Sequence, residues 1–318
     1  MHTFFLLTAL LVAGLLAALG SFVLRLTPLG GRRHVAFTVL ISPVIVLGVA
    51  TAHVIPLFWM QCSPLVGWDR WATIGLLSVL GIVGLGALAL NMSRLILVER
   101  LLAACRPALG HHYPGLADLC ARRAVSTASV RLLASDAPMA FAGGLRRPAI
   151  VLSTWLLEQL DRSELEAVFT HELAHLSRRD YLSRWLARLL RDATVYLPSA
   201  WYALQVLEAE EELQADAWAV RITRRPLAMA SALGKVWRAA VETPRSFGLA
   251  ALPNYNNGSQ ALLEQRLERL LNNAETPRGS LAGRLLAGAG ILSLGGLTPR
   301  LLLISAIALP LVCTARPH

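Results

Sequence analysis

Three long apolar stretches within residues 1–90 constrain this chain more than any other feature. Thr3–Leu24, Val35–Met60 and Trp71–Leu90 contain no Lys, Arg, Asp or Glu. As helices, each is long enough to cross a hydrocarbon core of ~30 Å. The second contains Pro43, His53 and Pro56, and the third is closed by Arg94 and Glu99-Arg100. A fourth apolar segment, Leu285–Val312, is interrupted by Pro299-Arg300, and its limits stay open. At 55% hydrophobic residues the chain is too apolar for a soluble globular enzyme. No basic n-region precedes Thr3, so the first stretch reads as a span and not as a signal peptide.

Charge placement orients these spans. The loop Arg25–His34 carries Arg25, Arg32 and Arg33, whereas Gln61–Arg70 carries one arginine and one aspartate. Arginine excess marks the cytoplasmic side, so the region after the third span is expected inside. The net charge of +10 raises nucleic-acid binding as a function. The basic residues, however, flank apolar segments, at Arg25/Arg32/Arg33, Arg94/Arg100 and Arg184/Arg188/Arg191. That placement fits anionic headgroups, and with no nucleic-acid motif present we expect a lipid membrane partner and no direct nucleic acid. Of the four cysteines, Cys105 and Cys120 are expected as free thiols in reducing cytosol. Cys62 and Cys313 would both lie outside, and sequence leaves open whether they pair.

The chemistry is announced by His171-Glu172-Leu173-Ala174-His175. Helical periodicity puts His171 and His175 one turn apart on one face, where two imidazoles can share a zinc ion. Glu172 lies where it can act as base toward the attacking water. A catalytic zinc site needs a third protein ligand. Glu210-Glu211-Glu212-Leu213-Gln214-Ala215-Asp216 reads as a second helix, acidic at its start. Glu212 and Asp216 share a face, so we assign Glu212 as third ligand and Asp216 as the acceptor that orients a histidine. Glu210 and Glu211 compete for the ligand role. The alternative is a solvated helix start whose acids favour the dipole. His111-His112 reads as a loop pair and not as a second metal site.

Short apolar runs separated by turn residues, Val130–Ser135, Met139–Ala142 and Ala149–Ser153, predict a small sheet. Leu116–Val125, Pro226–Val241 and Ser259–Leu271 read as helices, Arg106–Tyr113 as a linker and Pro244–Gly258 as a loop. Asp161-Arg162-Ser163-Glu164 opens the motif helix with a capping box. Tyr181–Leu207 begins basic and becomes uncharged from Ala193. It fits either a membrane-interface hairpin or a buried helix of the polar domain. The expected organisation is a three-span bundle at 1–98, a zinc domain at 99–280 containing that hairpin at 181–207, and a C-terminal span at 281–318. The fold class is an α+β membrane protein, with about four transmembrane helices and a cytosolic domain of helices plus a small sheet.

His171-Glu172-x-x-His175 followed by Glu212-x-x-Ala215-Asp216 resembles the gluzincin pattern of two groups of membrane zinc peptidases, the BlaR/MecR type and the HtpX/CAAX-protease type. Met139–Gly144, Arg147–Ser153, Leu165–Thr170 and Arg178-Arg179-Asp180 are similar as well. The resemblance implies a zinc endopeptidase with one Zn2+ per chain. It also implies a peptide substrate bound as an added strand along Ala149-Ile150-Val151-Leu152-Ser153 or along Met139–Gly143. Three spans before the zinc domain favour the BlaR/MecR type, whose expected substrate is a cytosolic BlaI-like winged-helix repressor. No room remains after the last apolar segment for a penicillin-binding sensor, so a short form is expected. HtpX-like quality control of membrane proteins is the alternative. A catalytically silent transducer is the reading from another class, against which the intact Glu172 argues.

Overall fold

A computed structural model of the chain describes residues 2–28, 30–59, 67–107, 114–123, 126, 129–145, 147–242 and 260–272. Contacts divide it into two compact units. The first comprises Met1–Ala89, Ala187–Leu207 and Pro277–His318, and the second Leu90–Leu186 and Glu208–Thr276.

The first unit is built on α1 (His2–Leu26), α2 (Arg32–Trp59) and the start of α3 (Gly67–Ala104). Among the described residues, these are the three helices long and apolar enough to cross a membrane. Small residues let α1 and α2 pack closely: a Cβ on Gly20 would lie 2.7 Å from a methyl of Val39. Thr3 N donates to Asp69 Oδ1 at 3.2 Å, and the Thr3 and Thr73 hydroxyls are 3.0 Å apart. The N-terminal ends of α1 and α3 therefore meet at the same end of the bundle, as alternating spans require. Phe4, Leu11, Leu15, Phe22, Ile82 and Leu85 point outward, an apolar surface suited to lipid. Helix α3 runs unbroken past Arg94 and Glu99-Arg100 to Ala104.

Residues 181–207 fall in α7 (Asp180–Ala193) and α8 (Pro198–Thr223), joined by a turn. Ala187, Leu190, Ala200, Ala203, Leu204 and Leu207 pack into one core with Leu24 of α1 and Val35, Val39 and Leu40 of α2. The apolar face of residues 187–207 is therefore covered by α1 and α2 within the first unit. Arg191 stacks over Trp201 at 4.0 Å and Arg25 over Tyr202 at 5.3 Å.

The second unit holds a four-stranded sheet of β1 (Arg106–Pro107), β2 (Val130–Leu133), β3 (Ala140–Gly143) and β4 (Ala149–Ser153), in the order β1-β2-β4-β3. Strand β4 pairs parallel with β2 and antiparallel with β3. All five of its residues are buried, the pattern of a strand covered on both faces. Gly144, just after β3, has φ of 110°, a conformation glycine enters without strain. Around the sheet lie α4 (Pro114–Arg122), α5 (Thr154–Gln159), α6 (Arg162–Arg178), α9 (Pro226–Glu242) and α10 (Gln260–Leu271). Val168 and Phe169 of α6 meet Ile150 and Leu152 of β4, Leu156, Leu160 and Ala232. Cys105 and Cys120 are buried free thiols, and burial pushes both thiols up. Cys62, His111, His112, Cys313, the loop Pro244–Gly258 and the segment Leu285–Val312 lie outside the described residues.

Candidate metal centre

The site begins with the start of α6. Asp161 Oδ1 accepts from Ser163 N and Glu164 N at 2.7 and 2.9 Å. Glu164 Oε2 accepts in return from Asp161 N at 2.9 Å, closing the capping box. Glu164 also accepts from Ser231 and Lys235 of α9. Burial alone would raise its carboxyl, and these donors outweigh that and hold it below its usual range. With α6 pinned there and at Val168 and Phe169, its next turn carries His171, Glu172 and His175, all buried. The two imidazole rings meet edge to face, their Nε2 atoms 3.1 Å apart.

Helix α8 supplies the acid. Glu212 Oε2 lies 3.3 Å from His171 Nε2, and its Oε1 lies 3.5 Å from His175 Nε2. The neighbouring glutamates turn elsewhere: Glu211 toward Ser183 and Arg184, Glu210 toward Gln214. One turn on, Asp216 Oδ1 faces His171 Nδ1 at 3.0 Å, off the line of a well-aligned hydrogen bond. Because α8 starts at Pro198, these acids sit mid-helix. An N-terminal dipole therefore does not explain them, and the helix does not begin at the acidic run.

His175 has its own acceptor, which sequence reasoning did not single out as such. Arg179 ends α6 with φ of 53°, a left-handed residue that reverses the chain direction. The next residue, Asp180, thereby reaches back and accepts from His175 Nδ1 at 2.8 Å. Arg178 holds the same Asp180 oxygen through Nε and Nη2.

Two arginines complete the site, and neither was expected there. Arg184 donates to Glu211 Oε2 at 2.7 Å and to Glu212 Oε1 at 2.8 Å. It is buried and not turned to headgroups, because two buried carboxylates on α8 need its charge. Arg266 of α10 grips Asp216 with two parallel hydrogen bonds of 2.7 and 2.8 Å, and its Nη1 lies 3.2 Å from Glu212 Oε2. Buried acids with no cation nearby in sequence were the available signal, but nothing in the spacing pointed to residues 184 and 266. Burial would raise the Glu212 carboxyl, yet the charges of Arg184 and Arg266 hold it well below its usual range. Burial would lower the His171 imidazole, and the contacts with Asp216 and Glu212 instead raise it to about 9.

This donor set fits a metal ion. His171, His175 and Glu212 each offer one ligand atom, all within 4.8 Å of one another. Two imidazole nitrogens bound tetrahedrally to one zinc would stand ~3.4 Å apart, close to the spacing seen. Glu172 Oε2 is buried with no hydrogen-bond partner among the described residues, so a carboxylate oxygen is left for chemistry. The expected substrate strand needs correction. Ala149, Ile150, Val151, Leu152 and Ser153 form β4, whose two edges are both occupied by β2 and β3. A peptide cannot add to it, and among the described residues β3 is the terminal strand on that side.

The profile of the family described as BlaR1 peptidase M56 matches residues 69–232, about half of the chain. The chain belongs to the M56 peptidase family. The match takes in both histidines, Glu172, Glu212, Asp216, Asp180 and Arg184, and it stops short of Arg266. Among curated proteins, a "Protease HtpX homolog" from Salinibacter ruber is 31% identical over 158 residues, 41% of this chain and 57% of that protein. One from Thermococcus kodakarensis is 29% identical over 172 residues, 43% and 59% respectively. One from Burkholderia multivorans is 27% identical over 214 residues, 52% and 75%. The chain thus spans less than two thirds of the length of the first two relatives. Membership in M56, with three apolar helices, makes this a membrane protein of a metallopeptidase family.

Proposed function

We propose that this M56 member is an integral-membrane zinc endopeptidase, with one zinc held by His171, His175 and Glu212. The observation that carries the reading is the convergence of these three buried donors beside Glu172, whose Oε2 has no hydrogen-bond partner among the described residues. When bound, zinc supplies a Lewis acid that polarises the scissile carbonyl and acidifies the attacking water. The chain's own residues do the rest. Glu172 takes the water's proton and passes it to the leaving amine. Asp216 and Asp180, each beside a histidine Nδ1, keep both Nε2 atoms turned inward. The substrate would lie extended along β3, Ala140–Gly143, the terminal strand of the sheet among the described residues, which packs against α6.

The family description names a BlaR1 peptidase, and on that likeness the substrate we propose is a cytosolic BlaI-like repressor; arginines in the Arg25–His34 loop support a cytoplasmic zinc domain. The HtpX relatives support a second reading, quality control of membrane proteins. Glu172→Gln tests the enzyme. The variant should fold and keep its zinc while peptide cleavage falls ~10²–10⁴-fold. The chain would be expressed beside a BlaI-like repressor and, separately, a misfolded membrane protein, with the length of each followed. Equal cleavage by wild type and variant would assign the cutting to another protease.

A further inference from the structure

Arg184 stands out because an arginine in an amphipathic helix belongs at the surface, yet this one is 4% exposed. We infer that Arg184 is the positioning residue of the third metal ligand, a role that rests on reading Glu212 as that ligand. Its Nε donates to Glu211 Oε2 and its Nη2 to Glu212 Oε1. Consecutive residues leave a helix ~100° apart, so one planar guanidinium reaches two diverging acids and fixes both relative to α7. Ser183 Oγ donates to the other Glu211 oxygen at 2.6 Å, closing the contact.

The geometry at Glu212 gives this contact its meaning. Each carboxylate oxygen accepts in two directions. On Oε1 one neighbour is Arg184 and the other is His175 Nε2. On Oε2 one neighbour is Arg266 and the other is His171 Nε2. The arginines hold the outer side of the carboxylate and leave its inner side to the metal. A glutamate has three side-chain torsions, and rotation of the last would break a charged contact on either oxygen. Arg266 cannot serve alone, because its Nε and Nη2 are committed to Asp216. Lysine cannot replace Arg184, because a single ammonium lacks the fork that spans two acids.

The competing account gives Arg184 one task, neutralising Glu211, which is fully buried. The double variant Arg184→Met/Glu211→Gln separates the two, since it removes the buried charge together with its partner. The full-length protein in detergent would be measured for zinc affinity by chelator competition, for the visible absorption of its cobalt(II) form, and for metal-free thermal stability. Zinc affinity should fall ~10–100-fold in the double variant and in Arg184→Lys. The cobalt absorption should change, and the metal-free melting temperature of Arg184→Lys should stay near wild type. Wild-type zinc affinity with an unchanged cobalt spectrum in both variants would overturn the inference. Glu212→Ala distinguishes the underlying reading: if that variant keeps wild-type zinc affinity, the ligand assignment and this inference fall together. If it loses zinc while both Arg184 variants bind normally, the inference alone falls.

Discussion

At the residue scale, the centre pairs the buried carboxylates around its histidines with cations and leaves Glu172 Oε2 without a hydrogen-bond partner among the described residues. Asp180 and Asp216 each sit beside a histidine Nδ1 and each is held by an arginine. Asp180→Asn and Asp216→Asn should therefore leave zinc binding in place but weaken it ~10–100-fold, as read by chelator competition. Complete loss of zinc in Asp216→Asn would make Asp216 a ligand itself. Arg266 carries a different load. Its removal strands Asp216 and weakens the hold on Glu212, and both are buried. Uncompensated buried charge costs about 3–5 kcal/mol, so Arg266→Ala should lower the denaturation midpoint sharply even without metal.

At the element scale, α6 must be fixed at both ends for its middle turn to carry the site. Asp161→Ala removes the cap from Ser163 N and Glu164 N. Helix caps of this kind contribute ~1 kcal/mol, a loss that thermal unfolding can measure. The same device predicts a pH response. The Asp161 carboxyl is held low, chiefly by the Glu164 backbone N–H, and the Glu164 carboxyl is held low by Lys235 and Ser231 against its burial. Groups depressed in the folded state contribute stability above the ordinary carboxylate range of about 4 and lose it as pH falls through their folded values. Stability should therefore drop on acidification below about pH 4–5, and the Asp161→Ala protein should show a shallower drop. At the other end, Arg179 sits at φ of 53°. Glycine there should be tolerated, whereas valine should destabilise by ~1–2 kcal/mol and tilt Asp180 away from His175.

At the scale of the whole molecule, α1, α2 and α3 carry exposed apolar side chains suited to lipid, and residues 187–207 pack with α1 and α2 in the same unit. The contact of Thr3 with Asp69 brings the N-terminal ends of α1 and α3 together, as three successive crossings would require. The arginines of the first loop then predict a cytoplasmic second unit. A reporter fused after Arg106 should behave as cytoplasmic, and one fused within Ser63–Val66 as external. The reverse pattern would remove a cytosolic repressor from the candidate substrates.

What the sequence determined by itself is local. The three long apolar helices follow from uninterrupted apolar length, the cap from Asp161 and Glu164 three residues apart, and the His171–His175 pair from the helical repeat. The three strands after residue 129 were legible because turn residues separate them, although their order was not. That β4 lies between β2 and β3 depends on parallel pairing between distant segments, and no pattern within Ala149–Ser153 distinguishes an edge strand from a central one. Glu212 could be preferred over Glu210 and Glu211 only by sharing a face with Asp216. All three are buried, so burial would not have chosen among them, and the decision comes from the direction in which α8 presents each one. Arg184 and Arg266 were beyond sequence reach because a counter-charge has to be close in space and need not be close in the chain. Helical periodicity repeats within a turn, but the partner of a buried carboxylate is found only once separate helices have packed.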